Sequence, residues 1–530
     1  MALVALAACS GDSAGELSQG DAATEADGAA DGEPVVGGTL RIGLSPIESL
    51  DPAAASPAQA SASVVADLLY DGLTTVAPGA TSATPALAAS WQPFDGATRW
   101  QFTLRPDVTF SDGRPIVADD VAYSLGRVAR LGAGSLLSTR LEIVQGAREL
   151  AGGSAPTLAG VIVVDAATVE IRLTQALSTL PELLAAPALG IVARPGDAGA
   201  GVAATVPPAP GVSSGPFRLA GDDDGVLTLA RALGRATLLD GVEVRFYPDL
   251  DIALEAMEEG TLDWSLVSPG RLDEATERFG ADLVTPFQAE LLYGFNLAIP
   301  AFADPRFRVA IVRAVDREAI IAAVYRATAS PLIGVVPDGV AGAVGEGCGA
   351  TCAYDPVAAR ALVAEVFGAG PVPEVVIGFD DGPDEAAVAG AIAADLAAAG
   401  IPTSLRPVPA ADYTAFATSG EQQLFRLGWI GTHASPDAYL HPLFASGSPD
   451  NIVGFNDPAF DDLLARARAA EVPADRLALY AEAERLVLAQ APVLPIAQFR
   501  TLAVAAPQVR DLAFGVDGTF AAEQTWLDPG

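Results

Sequence analysis

From Gly37 onward, apolar and polar positions alternate with the period of strands or recur with the period of helices. Leu40, Ile42 and Leu44 alternate with Thr39, Arg41 and Gly43, which predicts an opening strand that Ser49-Leu50-Asp51-Pro52 breaks. A helix is expected over 63–73. Trp100, Phe102 and Leu104 fall on one face of a strand and are assigned to the core, and a helix with acids in its first turn starts at Ala118. Residues 161–164 and 169–173 predict a hairpin, as do 214–219 and 226–229 about the turn Asp222-Asp223-Asp224-Gly225. A strand at 242–247, a helix at 252–259 stopped by Gly260 and a strand at 262–264 make a β-α-β unit with an expected right-handed crossover.

The stretch 291–325 divides the chain. Its first seven residues are aromatic and apolar, are closed by Pro300 and predict a short buried strand. Asp304-Pro305 then signals a helix start, with Val309, Ile311, Val312 and Val315 as its apolar stripe; Asp316 caps a second helix carrying Ile320, Ile321 and Val324. Helices are expected over 355–367, 385–399, 457–469 and 474–490, and strands over 375–379, 401–408 and 424–429, with 493–497 crossing back. A strand feeding two helices in mid-chain, with α/β segments on both sides, predicts two α/β lobes. No tandem repeat is seen.

With 530 residues the chain exceeds one core and allows about three domains. No uninterrupted apolar run reaches the ~18 residues that span a bilayer, so a soluble or anchored body is expected. The 66 acidic against 30 basic residues give −36, which excludes a nucleic-acid partner. Every basic residue is arginine. The acidity itself is read as a solubility feature.

Cys9 closes Leu6-Ala7-Ala8-Cys9 after the apolar residues 1–8, which looks like a lipoprotein cleavage box. Residues 10–36 are mostly Gly, Ala, Ser, Asp and Glu with no aromatic, as in a disordered tether reaching about 30 Å. Their seven acids leave −29 on the rest. Cys348 and Cys352 stand in a Gly-rich loop and are assigned a local disulfide. Zinc would need two further ligands, and neither histidine is near in sequence, so no metal site is assigned.

Several motifs in order carry a resemblance. Phe295-Asn296, Phe302-Ala303-Asp304-Pro305-Arg306, Ala310-Ile311 and Ala314-Val315-Asp316-Arg317-Glu318-Ala319-Ile320 resemble the signature of the family 5 extracellular solute-binding proteins, the binding subunits of bacterial peptide and nickel ABC importers. The segments 37–43 with 49–52, 85–91 with 100–105, and 427–440 are similar to further motifs of that family. The resemblance implies a periplasmic-binding-protein-like fold: two α/β lobes joined by a hinge, with a small accessory domain on the first lobe. It places lobe I in 37–77, 161–290 and 497–530, the accessory domain in 78–160 and lobe II in 291–496.

It also implies a cleft. Pro46, Ile47 and Glu48 follow the entry motif and are cleft candidates; Tyr293 through Asn296 take the hinge role. In 427–440, Gly428 and Ile430 would offer a backbone edge for strand addition by a peptide, and Trp429 a stacking face. Thr432 stands where the family has the aspartate that pairs a peptide amine, and His433 where it has a tyrosine. Glu48 is the candidate replacement acid, since a buried ammonium without an opposite charge is costly. His433 and His441 are eight apart, and Pro436 and Pro442 argue against a helix between them.

An enzyme is not expected. Gly211-Val212-Ser213-Ser214-Gly215 matches a nucleophile-elbow pattern, but prolines on both sides replace the strand and helix that such an elbow needs. No H-E-x-x-H, Walker lysine or dinucleotide fingerprint occurs. The expected function is therefore a monomeric, lipid-anchored, extracytoplasmic receptor that hands a peptide or similar solute to ABC permease and ATPase subunits, with no cofactor. Alternatives are a receptor for nickel chelates, opines or sugars, and a surface or sensory module on the same fold.

Overall fold

Local capping physics places most elements of the computed structural model, which describes residues 33–55, 59–131, 141–195, 208–223, 225–280, 283–345, 347–516 and 518–529. Cys9, the segment before it and the tether up to residue 32 lie outside the described residues. The opening strand is β1 (Thr39–Leu44), followed by α1 (Ala60–Leu69). The expected helix over 63–73 thus starts and stops early. Its last carbonyl, that of Leu69, accepts the Gly215 amide at 2.9 Å, and Tyr70 is extended.

Strands β2 (Ala88–Phe94), β3 (Arg99–Leu104), β4 (Val161–Asp165) and β5 (Thr168–Arg172) form a separate four-stranded antiparallel sheet in the order β2-β3-β5-β4. Helix α2 (Ala118–Arg130) packs on it. Trp100, Phe102 and Leu104 are buried there.

The main sheet combines β1 with β6 (Phe217–Asp223), β7 (Val226–Arg231), β8 (Gly241–Phe246), β9 (Trp264–Leu266), β10 (Leu283–Phe295), β11 (Ala329–Pro331), β12 (Val375–Asp380), β13 (Thr403–Val408), β14 (Leu424–Ile430) and β15 (Val493–Ala505). Its order is β13-β12-β14-β10-β15-β9-β1-β8-β7-β6, with β11 on β15. Strands β8 and β9 both run parallel to β1, which lies between them. The helix linking β8 to β9 is α3 (Leu250–Glu258).

Two strands outgrow their sequence signal. β10 begins at Leu283 and β15 continues to Ala505, each over 13 residues, and they pair antiparallel from Leu283↔Ala503 to Gly294↔Val493. Residues 283–286 and 500–503, which carry no strand alternation of their own, extend because each supplies the other's hydrogen-bond partners. The β10/β15 pair carries a single sheet across the middle of the chain.

Helix α4 (Pro305–Ala314) is capped by Asp304, and α5 (Arg317–Ile320) by Asp316, whose carboxylate accepts the Ala319 amide at 3.0 Å. The arginines of this stretch act inside the core. Arg317, 6% exposed, donates to the carbonyls of Pro495 (2.5 Å), Cys352 (2.6 Å) and Val312 (3.1 Å). Arg308 donates to those of Gln490 and Ala491 and of Phe302. Both guanidiniums therefore staple α4 and α5 to β15 and the loop before it. Cys348 and Cys352 are joined in a disulfide with Cα atoms 5.4 Å apart.

Further helices are α6 (Pro356–Phe367), α7 (Pro383–Ala398), α8 (Ala410–Ala417), α9 (Asp437–Phe444), α10 (Pro458–Ala469) and α11 (Pro473–Gln490). Helix α9 corrects the expectation that Pro436 and Pro442 forbid a helix. Pro436 precedes the first turn, where its carbonyl accepts the Tyr439 and Leu440 amides. The bond lost at Pro442 is made good from outside the helix.

Candidate functional site

A cavity of about 560 Å³ opens between residues 142–183 and the segment that runs from Trp429 to Arg468. One wall is Glu142, Ile143, Gln175, Leu177 and Leu183; the other includes Trp429, Thr432, His433, His441 and Asp450. Size and mixed lining suit a small organic solute.

Strand β14 carries the far wall. It pairs with β10 from Leu424↔Phe295 to Ile430↔Ala289, whereas β12 meets it only at Leu424 and Phe425. The Tyr413 hydroxyl donates to the Arg426 carbonyl at 2.7 Å. Beyond that, the edge from Leu427 to Ile430 has no strand beside it among the described residues. Gly428 is exposed on this edge, where an added side chain would meet the Arg426 guanidinium.

Trp429 is fixed by its indole N–H, which donates to the Ala438 carbonyl at 2.7 Å. A Cβ at Gly431 would collide with the Tyr439 hydroxyl, so the turn that follows β14 depends on that glycine. Thr432 Oγ1 lies 3.1 Å from His433 Nδ1, and His433 Nε2 lies 3.3 Å from Thr179 Oγ1, a residue of the opposite wall. His433 is buried.

The charges at the base of the cavity are paired. Arg468 Nε lies 3.3 Å from Asp437 Oδ1, and the Tyr480 hydroxyl donates to the same oxygen at 2.9 Å. Burial works against the Asp437 charge, but Arg468, both histidines and Tyr480 hold its carboxyl below the ordinary range. Burial, with Arg468 behind it, pushes the His441 imidazole down. At the rim, burial and then the charge of Glu142 push Asp450 up.

The two walls also meet directly. Ser178 donates its amide to the Arg468 carbonyl at 2.8 Å, and Arg476 pairs with Glu182 at 2.9 Å with both side chains buried.

Of the residues that the sequence singles out, Trp429, Thr432 and His433 share the cavity wall, and Gly428 and Ile430 lie on the strand that leads to it. Pro46 and Glu48 are exposed after β1, Ile47 is half-buried, and none of the three is part of this wall. Tyr293 lies wholly within the core, and burial pushes its hydroxyl up. Asn296 is buried too: its side-chain amide donates to the Gln422 and Gly420 carbonyls at 2.9 and 3.1 Å and its oxygen accepts the Ala298 amide. These bonds tie the end of β10 to the turn before β14.

Glu142, Gln175, Asp437, His441 and Arg468 join the site without having been assigned to it from sequence. Asp437 and His441 lie in or beside the 427–440 motif; nothing local marks Glu142 or Arg468.

The chain matches the model of the bacterial extracellular solute-binding proteins, family 5 Middle, over residues 82–451. It is 30% identical over 285 residues to probable di/tripeptide-binding protein 5 of Pseudomonas aeruginosa (strain UCBPP-PA14), covering 51% of this chain and 52% of that one. It is 28% identical to heme-binding protein A of Haemophilus influenzae, over 85% of this chain and 86% of the relative. The solved structure of the periplasmic murein tripeptide binding protein MppA, unliganded open form, superposes with a TM-score of 0.80 at 22% identity, covering 93% of this chain and 98% of that one.

Proposed function

Since the chain belongs to the bacterial extracellular solute-binding proteins of family 5 and has their two-lobed α/β fold, we propose that it is the extracytoplasmic binding component of an ABC importer for short peptides. The observation that carries this reading is the open edge of β14. On the side away from β10, residues 427–430 have no strand beside them among the described residues, next to Trp429 and the 560 Å³ cavity, the arrangement an extended peptide needs to add itself as a strand. Relatives named for binding dipeptides, tripeptides and murein peptides support it.

In this reading the β10/β15 pair serves as the joint between lobe I (37–77, 161–290, 497–530) and lobe II (291–496), with 78–160 as the accessory domain. Contacts that a peptide makes with both lobes select the closed form, which docks on a permease. Cys9 is the proposed lipid attachment point, with the tether holding a monomeric body at the outer face of the membrane. Among the described residues no helix is long and apolar enough to cross it. The peptide is released unchanged.

Calorimetric titration with a panel of dipeptides and tripeptides, followed by mass spectrometry of the recovered peptide, tests this. Heat from several peptides, weakened at least tenfold by Trp429→Ala, and intact recovery are expected. Absence of heat across the panel rejects the peptide reading, and cleaved products reject a binding-only role.

A further inference from the structure

Among the described residues, the charged side chains that face the cavity are Glu142, Arg148, Asp437, Asp450 and Arg468. Only two of them are buried, and they are partners: Arg468 Nε lies 3.3 Å from Asp437 Oδ1. The same carboxylate accepts the Tyr480 hydroxyl at 2.9 Å, and the guanidinium also donates to the Gln175 side-chain oxygen at 3.1 Å. An ammonium brought to this place meets Arg468 as well as Asp437, and a carboxylate meets Asp437 as well as Arg468. Attraction and repulsion then nearly cancel, so the pair offers neither ion a counter-charge.

The other charges stand at the mouth. Glu142 lies 3.7 Å from Arg148, which is largely exposed, and Asp450 is exposed on the rim. Water and salt screen charges in such a place, and they contribute little to binding.

The remaining polar groups of the enclosed part are hydroxyl, carboxamide and imidazole. Thr432 Oγ1 lies 3.1 Å from His433 Nδ1, and His433 Nε2 lies 3.3 Å from Thr179 Oγ1, so hydroxyl, imidazole and hydroxyl form one chain between the two walls. Burial holds the His441 imidazole towards its neutral form. Ile143, Leu177, Leu183 and the Trp429 ring add apolar surface. Such a lining can hydrogen-bond an amide and pack against apolar side chains, but it strands an enclosed ion, which is costly. A cavity of 560 Å³ is large enough to enclose a short peptide, and turning one charged end of it to Asp450 at the mouth leaves the other end inside.

We propose that the cavity selects peptides with both termini blocked, acylated at the amino end and amidated at the carboxyl end, over the same peptides as free zwitterions. The inference rests on the peptide reading above and names the class of peptide within it. A blocked peptide keeps the backbone groups that pair with the edge of β14 and brings no ion into the enclosed part.

The test is calorimetric titration of the full chain at about pH 7, where a peptide's α-ammonium and carboxylate are both charged. Leucyl-phenylalanine and alanyl-leucine are each supplied in four forms: free, N-acetylated, C-amidated and blocked at both ends. The doubly blocked form is expected to bind tighter than the free one by about tenfold or more, with the singly blocked forms between them and the free form still measurable. Asp437→Asn turns the buried pair into a lone guanidinium, so the N-acetylated acid should gain about fivefold or more relative to the doubly blocked form. Free peptides that bind as tightly as their doubly blocked forms overturn the proposal and leave the peptide reading standing. An unchanged ratio in Asp437→Asn also overturns it, because charge in the cavity then does not govern the choice. No heat from any form removes the peptide reading and this inference together. Should Asp437→Asn fail to fold, the four forms on the parent chain decide alone.

Discussion

Trp429 and Pro442 are complementary across a single carbonyl. Proline 442 has no N–H to give to the oxygen four residues back, that of Ala438, and the Trp429 indole donates to that oxygen instead at 2.7 Å. A helix with a proline in its last turn and the orientation of the aromatic wall of the cavity therefore depend on each other. Trp429→Phe is expected to cost about 1–2 kcal/mol by orphaning the carbonyl. Adding Pro442→Ala restores an in-helix donor and should recover roughly 1 kcal/mol of that loss. Denaturant midpoints of the parent, the two single variants and the double variant read the coupling directly; additive effects would show that the two residues are independent.

Arg317 is a buried cation whose hydrogen bonds go to carbonyls rather than to a carboxylate. Burial pulls its guanidinium down to about 10, still charged at neutral pH. Arg317→Met leaves the carbonyls of Pro495, Cys352 and Val312 without this donor in the core, and a loss of about 3 kcal/mol or more is expected. Arg317→Lys keeps the charge but lacks the fork that reaches three acceptors, so it should recover only part. Thermal unfolding of both variants provides the check.

Asp437 makes the cavity base sensitive to acid. Its carboxyl is held below the ordinary value in the folded chain, so its contribution is complete above the unfolded value and is lost as pH falls through the folded one. Between about pH 5 and pH 2 the parent should lose stability faster than Asp437→Asn. Near neutral pH the parent is the more stable of the two, because the variant leaves Arg468 buried without its countercharge, at a cost of about 3 kcal/mol. Unfolding temperature against pH for the two chains measures both limbs.

The Arg476–Glu182 pair joins α11 to the opposite wall of the cavity with both side chains buried. Glu182→Leu alone strands the guanidinium and should cost about 3–5 kcal/mol, whereas Glu182→Leu with Arg476→Met should regain most of it. Peptide affinity measured on the same variants tells whether this seam also governs the cavity.

Elements whose boundaries rest on neighbours along the chain are legible in the amino-acid order alone. Asp304, Asp316, Asp355 and Asp457 cap α4, α5, α6 and α10 where the sequence signals a cap, because a capping carboxylate bonds amides two or three residues away. Trp100, Phe102 and Leu104 turn inward for the same local reason, the period-two alternation of a strand. Trp429, Thr432 and His433 can be singled out because one short motif holds all three.

Other features have no local signal. The first half of β10 is a strand because β15 lies beside it, some 200 residues later, and α9 survives its proline because an indole on β14 supplies the missing donor. The cavity joins Glu142 to Arg468, and the Glu484 carboxylate reaches the Val335 and Val336 amides only once α11 has been folded against that loop. The order of residues thus determined caps, periodicities and the family motif, since these act over a few residues. Tertiary structure decided which buried polar groups find partners and which are left waiting, because that balance is struck between segments brought together only by folding.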